Sequence, residues 1–125
     1  MGFSDDFAQC VKDNLPSALI DALQGLSLDK VLEFASELVE GASVEEALLA
    51  IGVGAEAAAA AAAAVVAAGI ATAAIASAVL SGCVLSAGAT TVWDTIKSLG
   101  SSVWDVLKSP LADAGYPAPA DTAVA

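Results

Sequence analysis

Few residues in this chain have the type and spacing to do chemistry. Ser27-Leu28-Asp29-Lys30 sets a hydroxyl three residues before an amine, the S-x-x-K pattern in which a lysine can activate a serine for acyl transfer. The pattern stands alone, without its companion motifs, and Ser27 has a simpler role as a helix N-cap. Glu33, Glu37 and Glu40 share one helical face and are read as a solvated acidic face, since no calcium-loop pattern accompanies them. The chain has no histidine, which removes His-dependent triads and most zinc and haem sites. The expectation is a non-enzymatic protein with no cofactor and no metal.

Two cysteines remain, Cys10 and Cys83. A bridge between them would close a loop of about 70 residues and add on the order of 4 kcal/mol. Two buried thiols among apolar neighbours are the alternative, and the sequence leaves both open.

The charge balance narrows the partners. Fifteen acidic residues face four lysines and no arginine, for a formal net charge of −11. Nucleic acid is excluded as an expected partner, because phosphate neutralisation needs clustered Lys and Arg. Electrostatic docking to an anionic membrane is disfavoured for the same reason, so any membrane engagement would rest on apolar burial. Eleven of the fifteen carboxylates lie between Asp5 and Glu56.

Those elements must be helices. In residues 1–52, starts, stops and apolar stripes agree with one another. Ser4 caps a first helix carrying Phe7, Cys10, Val11 and Leu15. Pro16 opens a second with Leu19, Ile20 and Leu23, and Gly25 closes it. Ser27 starts a third, whose stripe is Leu28, Val31, Leu32, Ala35, Leu38 and Val39, ending at Gly41. Ser43-Val44-Glu45-Glu46 is a capping box for a fourth, with Val44, Ala47, Leu48 and Ile51 on its apolar face.

Residues 53–90 differ in kind. From Ala57 to Trp93 there is no charged residue, and Ala57 to Ala64 is unbroken alanine. Alanine supplies helix propensity more than core volume. One long helix from Ala55 to Gly82, roughly 42 Å at 1.5 Å per residue, is expected here, continuous or folded back as a hairpin. Its more hydrophobic part, Val65 to Leu85, is about the ~20 residues needed to span a bilayer, although alanine adds little to insertion. Gly69, Ala73, Ser77 and Ser81 recur at every fourth position, with Ala74, Ala78 and Gly82 in an adjacent row. Such small-residue rows let helix backbones approach closely. In composition alone the segment resembles pore-forming or membrane-spanning hairpins.

Residues 91–113 contain a repeat. Val92-Trp93-Asp94-Thr95-Ile96-Lys97-Ser98 returns eleven residues later as Val103-Trp104-Asp105-Val106-Leu107-Lys108-Ser109. On one amphipathic helix that period brings Trp93 and Trp104 to nearly the same face. There they would serve as anchors at a bilayer interface, or pack over the N-terminal helices as core. Pro110 is expected to end the helix, and residues 114–125 read as a tail.

The whole is an all-α chain. Short acidic amphipathic helices lead into an alanine-rich hydrophobic helix and a Trp-bearing amphipathic one. The function expected is self-association in or at a membrane, as a pore-former or membrane-assembly subunit, with the chain itself and lipid as partners. A soluble subunit of a filament or shell is the alternative. An apolar ligand pocket is disfavoured, because alanine-lined helices pack too closely to leave a cavity. The expected location is membrane-associated, or secreted without a recognisable signal peptide, since the N-terminus lacks a basic region followed by an apolar one.

Overall fold

A computed structural model of the chain describes residues 15–23, 26–80 and 89–113. Within them the fold is all-α: α1 (Ser17–Leu23), α2 (Leu28–Val39), α3 (Val44–Ala50), α4 (Ala55–Ala68), α5 (Thr72–Ala78), α6 (Ala89–Leu99) and α7 (Ser101–Asp113). The helix expected from Ser4 lies outside the described residues, apart from the buried Leu15.

The organising element is α2. Val31, Leu32, Phe34, Ala35, Ser36 and Leu38 are all buried on it, and α3, α5, α6 and α7 pack against it. That arc is wider than the stripe expected from spacing. Phe34 is wholly buried, whereas Val39 is 40% exposed. Phe34 joins Val31 and Leu38 in an i, i+3, i+7 row, so α2 presents two overlapping rows to its neighbours. Ser36, the one buried polar residue among those described, donates from its hydroxyl to the Glu33 carbonyl at 2.9 Å and so carries no unmet hydrogen bond.

Local signals set the ends of the early helices. The Pro16 carbonyl accepts from the Leu19 and Ile20 N–H groups and begins α1. At α3 the capping box forms in both directions: Ser43 Oγ accepts from the Glu46 N–H, and Glu46 Oε1 accepts from the Ser43 N–H, each at 3.2 Å. Val44, Ala47, Leu48 and Ile51 are buried, as their spacing requires. Helix α2 ends in a Schellman turn around Gly41, with Gly41 N–H donating to the Leu38 carbonyl and Ala42 N–H to that of Glu37.

The single helix expected from Ala55 to Gly82 is interrupted. Gly69 adopts the left-handed conformation, with φ 71° and ψ 27°, and ends α4. Its N–H donates to the Val66 carbonyl at 3.1 Å, and the Ile70 N–H to that of Val65 at 3.2 Å, again a Schellman pair. After Ala71 the chain re-enters as α5, turned by 106° from α4. The physical reason is visible in what each part buries. Alanine-rich α4 packs on α1 and α3, while Ile75, Ala76, Val79 and Leu80 are buried with α5 on α2. A straight helix could not reach both surfaces, and glycine accommodates the left-handed turn at no side-chain cost.

The expected helix over residues 91–113 is likewise two, broken at Gly100, where φ is 114°. Pro110 does not end α7, which runs three residues further to Asp113. An eleven-residue repeat split at a glycine places its two copies on successive packed helices rather than on one face of a single helix. Trp93 and Trp104 thus face each other, with ring centroids 4.8 Å apart and planes tilted by 56°.

Candidate functional site

Two surface features emerge from this arrangement: an uncharged outer face on α4 and α5, and a groove beside α5.

Helix α4 buries a narrow stripe of Ala58, Ala61 and Val65 against α1 and α3. Ala62 and Ala64 are half-buried beside that stripe, and the outer face is open. Ala57, Ala59, Ala60, Ala63, Ala67 and Ala68 are exposed, and Val66 keeps 79% of its surface accessible. Glu56, in the first turn, is the helix's only charge. Beyond the bend the face continues through Gly69, Ala71, Thr72, Ala73 and Ala74. A face of small side chains with no charge lets another helix approach closely without desolvating ionic groups.

The small-residue rows are divided by this geometry. Gly69 caps α4 instead of lying on a helix with Ala73. On α5, Ala73, Ala74 and Ser77 are exposed and Ala78 is half-buried. Ser81 and Gly82 lie outside the described residues, as do Cys10 and Cys83. Trp93 is 3% exposed and Trp104 9%, so both lie in the core of this fold.

The groove holds about 570 Å³. Leu38 and Val39 at the end of α2 form one wall. Thr72, Ala73, Ala76, Ser77 and Leu80 on and beyond α5 form the second, and Pro110 and Asp113 of α7 the third. Alanine was expected to leave little cavity. Here the small side chains of Ala73, Ala76 and Ser77 meet a splayed junction of three helices, where small residues leave space instead of closing it. Leu38 and Leu80 make the inner surface apolar, and the hydroxyls of Thr72 and Ser77 with the Asp113 carboxylate are its polar groups.

The residues first considered for chemistry are occupied differently. Ser27 makes no side-chain cap to α2; its hydroxyl donates to Asp29 Oδ1. That bond is the main cause holding the Asp29 carboxyl below its ordinary value of 3.8, with backbone hydrogen bonds and the Lys30 charge adding to it. The Ser27 hydroxyl is thus directed to the Asp29 carboxylate. Among the described residues, no three His, Cys, Asp or Glu side chains converge in a way that could hold a metal ion, Glu33, Glu37 and Glu40 included.

No family model, curated protein or solved structure matches the chain. Val66 was not singled out from sequence, because in a run of apolar residues nothing marks which one stays outside. Leu38 and Val39 read as stripe residues and Pro110 as a helix end, and that they line one groove is decided only by tertiary packing.

Proposed function

We propose that this is a non-enzymatic, self-associating helical protein that acts in or at a membrane, as a pore-forming or membrane-assembly subunit. The observation that carries this reading is the open apolar face of α4 and α5, on which Val66 remains 79% exposed. Contiguous apolar surface of this kind marks sites where proteins meet other proteins or lipid. No single helix among the described residues is long and apolar enough to cross a membrane; α4 and α5 reach that length and composition only together, as a bent pair.

A second reading is a subunit of a soluble filament or shell. The composition of the face favours it: alanine gains little on transfer to lipid but permits close helix–helix contact. In both readings the same surface is covered, by lipid in one and by protein in the other.

Flotation of detergent-free protein with phosphatidylcholine vesicles, with mass measured by light scattering in the same buffer, separates them. Flotation is the outcome expected. A large particle that ignores lipid selects the filament or shell, and a monomer that ignores lipid defeats both. Within the assembly, Ser77→Leu is expected to weaken cross-linking between copies more than substitution of an exposed glutamate. Equal and negligible effects would remove Ser77 from the association surface.

A further inference from the structure

We propose that Gly69–Ala71 is a hinge about which α4 and α5 straighten into one apolar helix when lipid replaces water around them. The inference rests on the membrane reading above and specifies how the same surface would enter a bilayer.

The lengths are the first argument. Helix α4 alone is roughly 21 Å long and α5 about 11 Å, each too short for a hydrocarbon core of about 30 Å. Joined from Ala55 to Ala78 they reach roughly 36 Å. Glu56, at the outer end, is the only charge in that stretch.

The backbone hydrogen bonds are the second. In the bent form the first bond within the α5 turn runs from the Ile75 N–H to the Ala71 carbonyl, and Ala71 provides no side-chain cap. The N–H groups of Thr72, Ala73 and Ala74 therefore have no acceptor within the helix, and these residues face water. Water satisfies such donors; hydrocarbon does not. In a continuous helix they would donate to the carbonyls of Ala68, Gly69 and Ile70. The Schellman bonds of Gly69 and Ile70 would become ordinary helical ones in the same step. The break is thus tolerated in water and penalised in lipid.

Side-chain burial is the third. What holds α5 across α2 is apolar contact by Ile75, Ala76, Val79 and Leu80. A bilayer offers these side chains a comparable apolar environment, so leaving α2 for lipid does not expose them to water. Nothing lies within 4 Å of where a Gly69 side chain would start, so a side chain there meets no steric clash and only the left-handed φ opposes it.

Two substitutions push the hinge in opposite directions. Gly69→Ala disfavours the left-handed turn and favours a continuous helix. Thr72→Pro suits the bent form, because Thr72 is the first residue of α5 and Ala71 already holds the extended ψ of 149° that a following proline requires. In a continuous helix the same proline would sit in the interior and break it.

The test uses the full chain with Cys10→Ser and Cys83→Ser, spin-labelled through Ala57→Cys and Ser77→Cys, both at exposed positions. Pulsed electron–electron distances are read in buffer and in phosphatidylcholine vesicles, alongside flotation. The expected distance in vesicles is about 30 Å, the rise of twenty helical residues, and clearly shorter in buffer. At a fixed limiting lipid concentration, Gly69→Ala, favoured in the straight helix and disfavoured in the left-handed turn, should raise the ratio of long to short distances about thirtyfold, and Thr72→Pro should lower it about a hundredfold. Circular dichroism and an unchanged buffer distance would establish that Thr72→Pro still folds. Flotation with the short distance retained would overturn the hinge and leave the membrane reading standing. So would indifference of the distances to both substitutions. Failure to float would overturn both proposals.

Discussion

At the scale of single residues, Ser36, Thr95 and Ser98 return their hydroxyls to carbonyls of their own helices, and among the described residues Phe34, Trp93 and Trp104 are buried. The Trp93–Trp104 pair ties α6 to α7 through tilted rings in contact, and Trp93 is almost fully enclosed. Trp93→Ala is expected to cost about 3–5 kcal/mol in urea unfolding, while a loss below ~1 kcal/mol would contradict its central position. The Ser43 cap belongs to the same scale. Ser43→Ala removes one bond of a reciprocal pair and should cost about 1 kcal/mol by the same measurement. Ser36→Ala, although buried, removes a hydroxyl bonded only to its own helix and should change stability by less than about 0.5 kcal/mol. At Asp29 the folded carboxyl ionises at lower pH than the unfolded one, because Ser27 donates to it. Its contribution is therefore present above the unfolded value of 3.8 and is lost as pH falls through the folded value. Ser27→Ala should move the Asp29 carboxyl upward in an NMR titration; no movement would leave the hydroxyl without that role.

Elements are divided here by two glycines. Gly69 and Gly100 each cut what periodicity presents as one helix into two; the pieces flanking Gly69 pack on different helices, whereas those flanking Gly100 both pack on α2 and on each other. A sign follows that does not depend on accurate magnitudes. Alanine replacing glycine inside a helix stabilises by roughly 1 kcal/mol, whereas at a left-handed cap it destabilises by a similar amount. Gly69→Ala in water should accordingly lower the unfolding free energy. A gain would mean that α4 and α5 are continuous in solution. The starts of α1 and α3 and the end of α2 were legible because Pro16, the Ser43–Glu46 box and Gly41 act within a few residues of themselves, while Ser27 marks the start of α2 by position without a side-chain cap. The break at Gly69 was not, because glycine in a helical run reads equally as a packing position and as a cap.

For the molecule as a whole, the question is how a chain of net charge −11 comes to leave an uncharged helix face in water. Mutual repulsion keeps acidic surfaces apart, so contact between copies is least opposed where charge is absent. Val66→Glu puts a charge at the centre of that face. It should reduce the light-scattering mass of any assembly and abolish flotation, while shifting folding stability by no more than about 0.5 kcal/mol. An unchanged mass and undiminished flotation would move the association surface elsewhere. The groove between α2, α5 and α7 was the larger departure from expectation, since Leu38, Ala76 and Pro110 come together from distant parts of the chain.

Helical class, the Ser43–Glu46 box and the turn at Gly41 were determined by sequence, because propensity, periodicity and capping act over one or two turns. Where Ala55 to Leu80 bends, which alanines it buries and how the two tryptophans meet were decided by tertiary structure. In Ala57 to Ala64 every side chain is the same, so periodicity has no contrast to report. Only the surfaces of α1 and α3 distinguish the Ala58–Ala61–Val65 stripe from its neighbours, and only their separation from the surface of α2 that α5 covers makes Gly69 a turn.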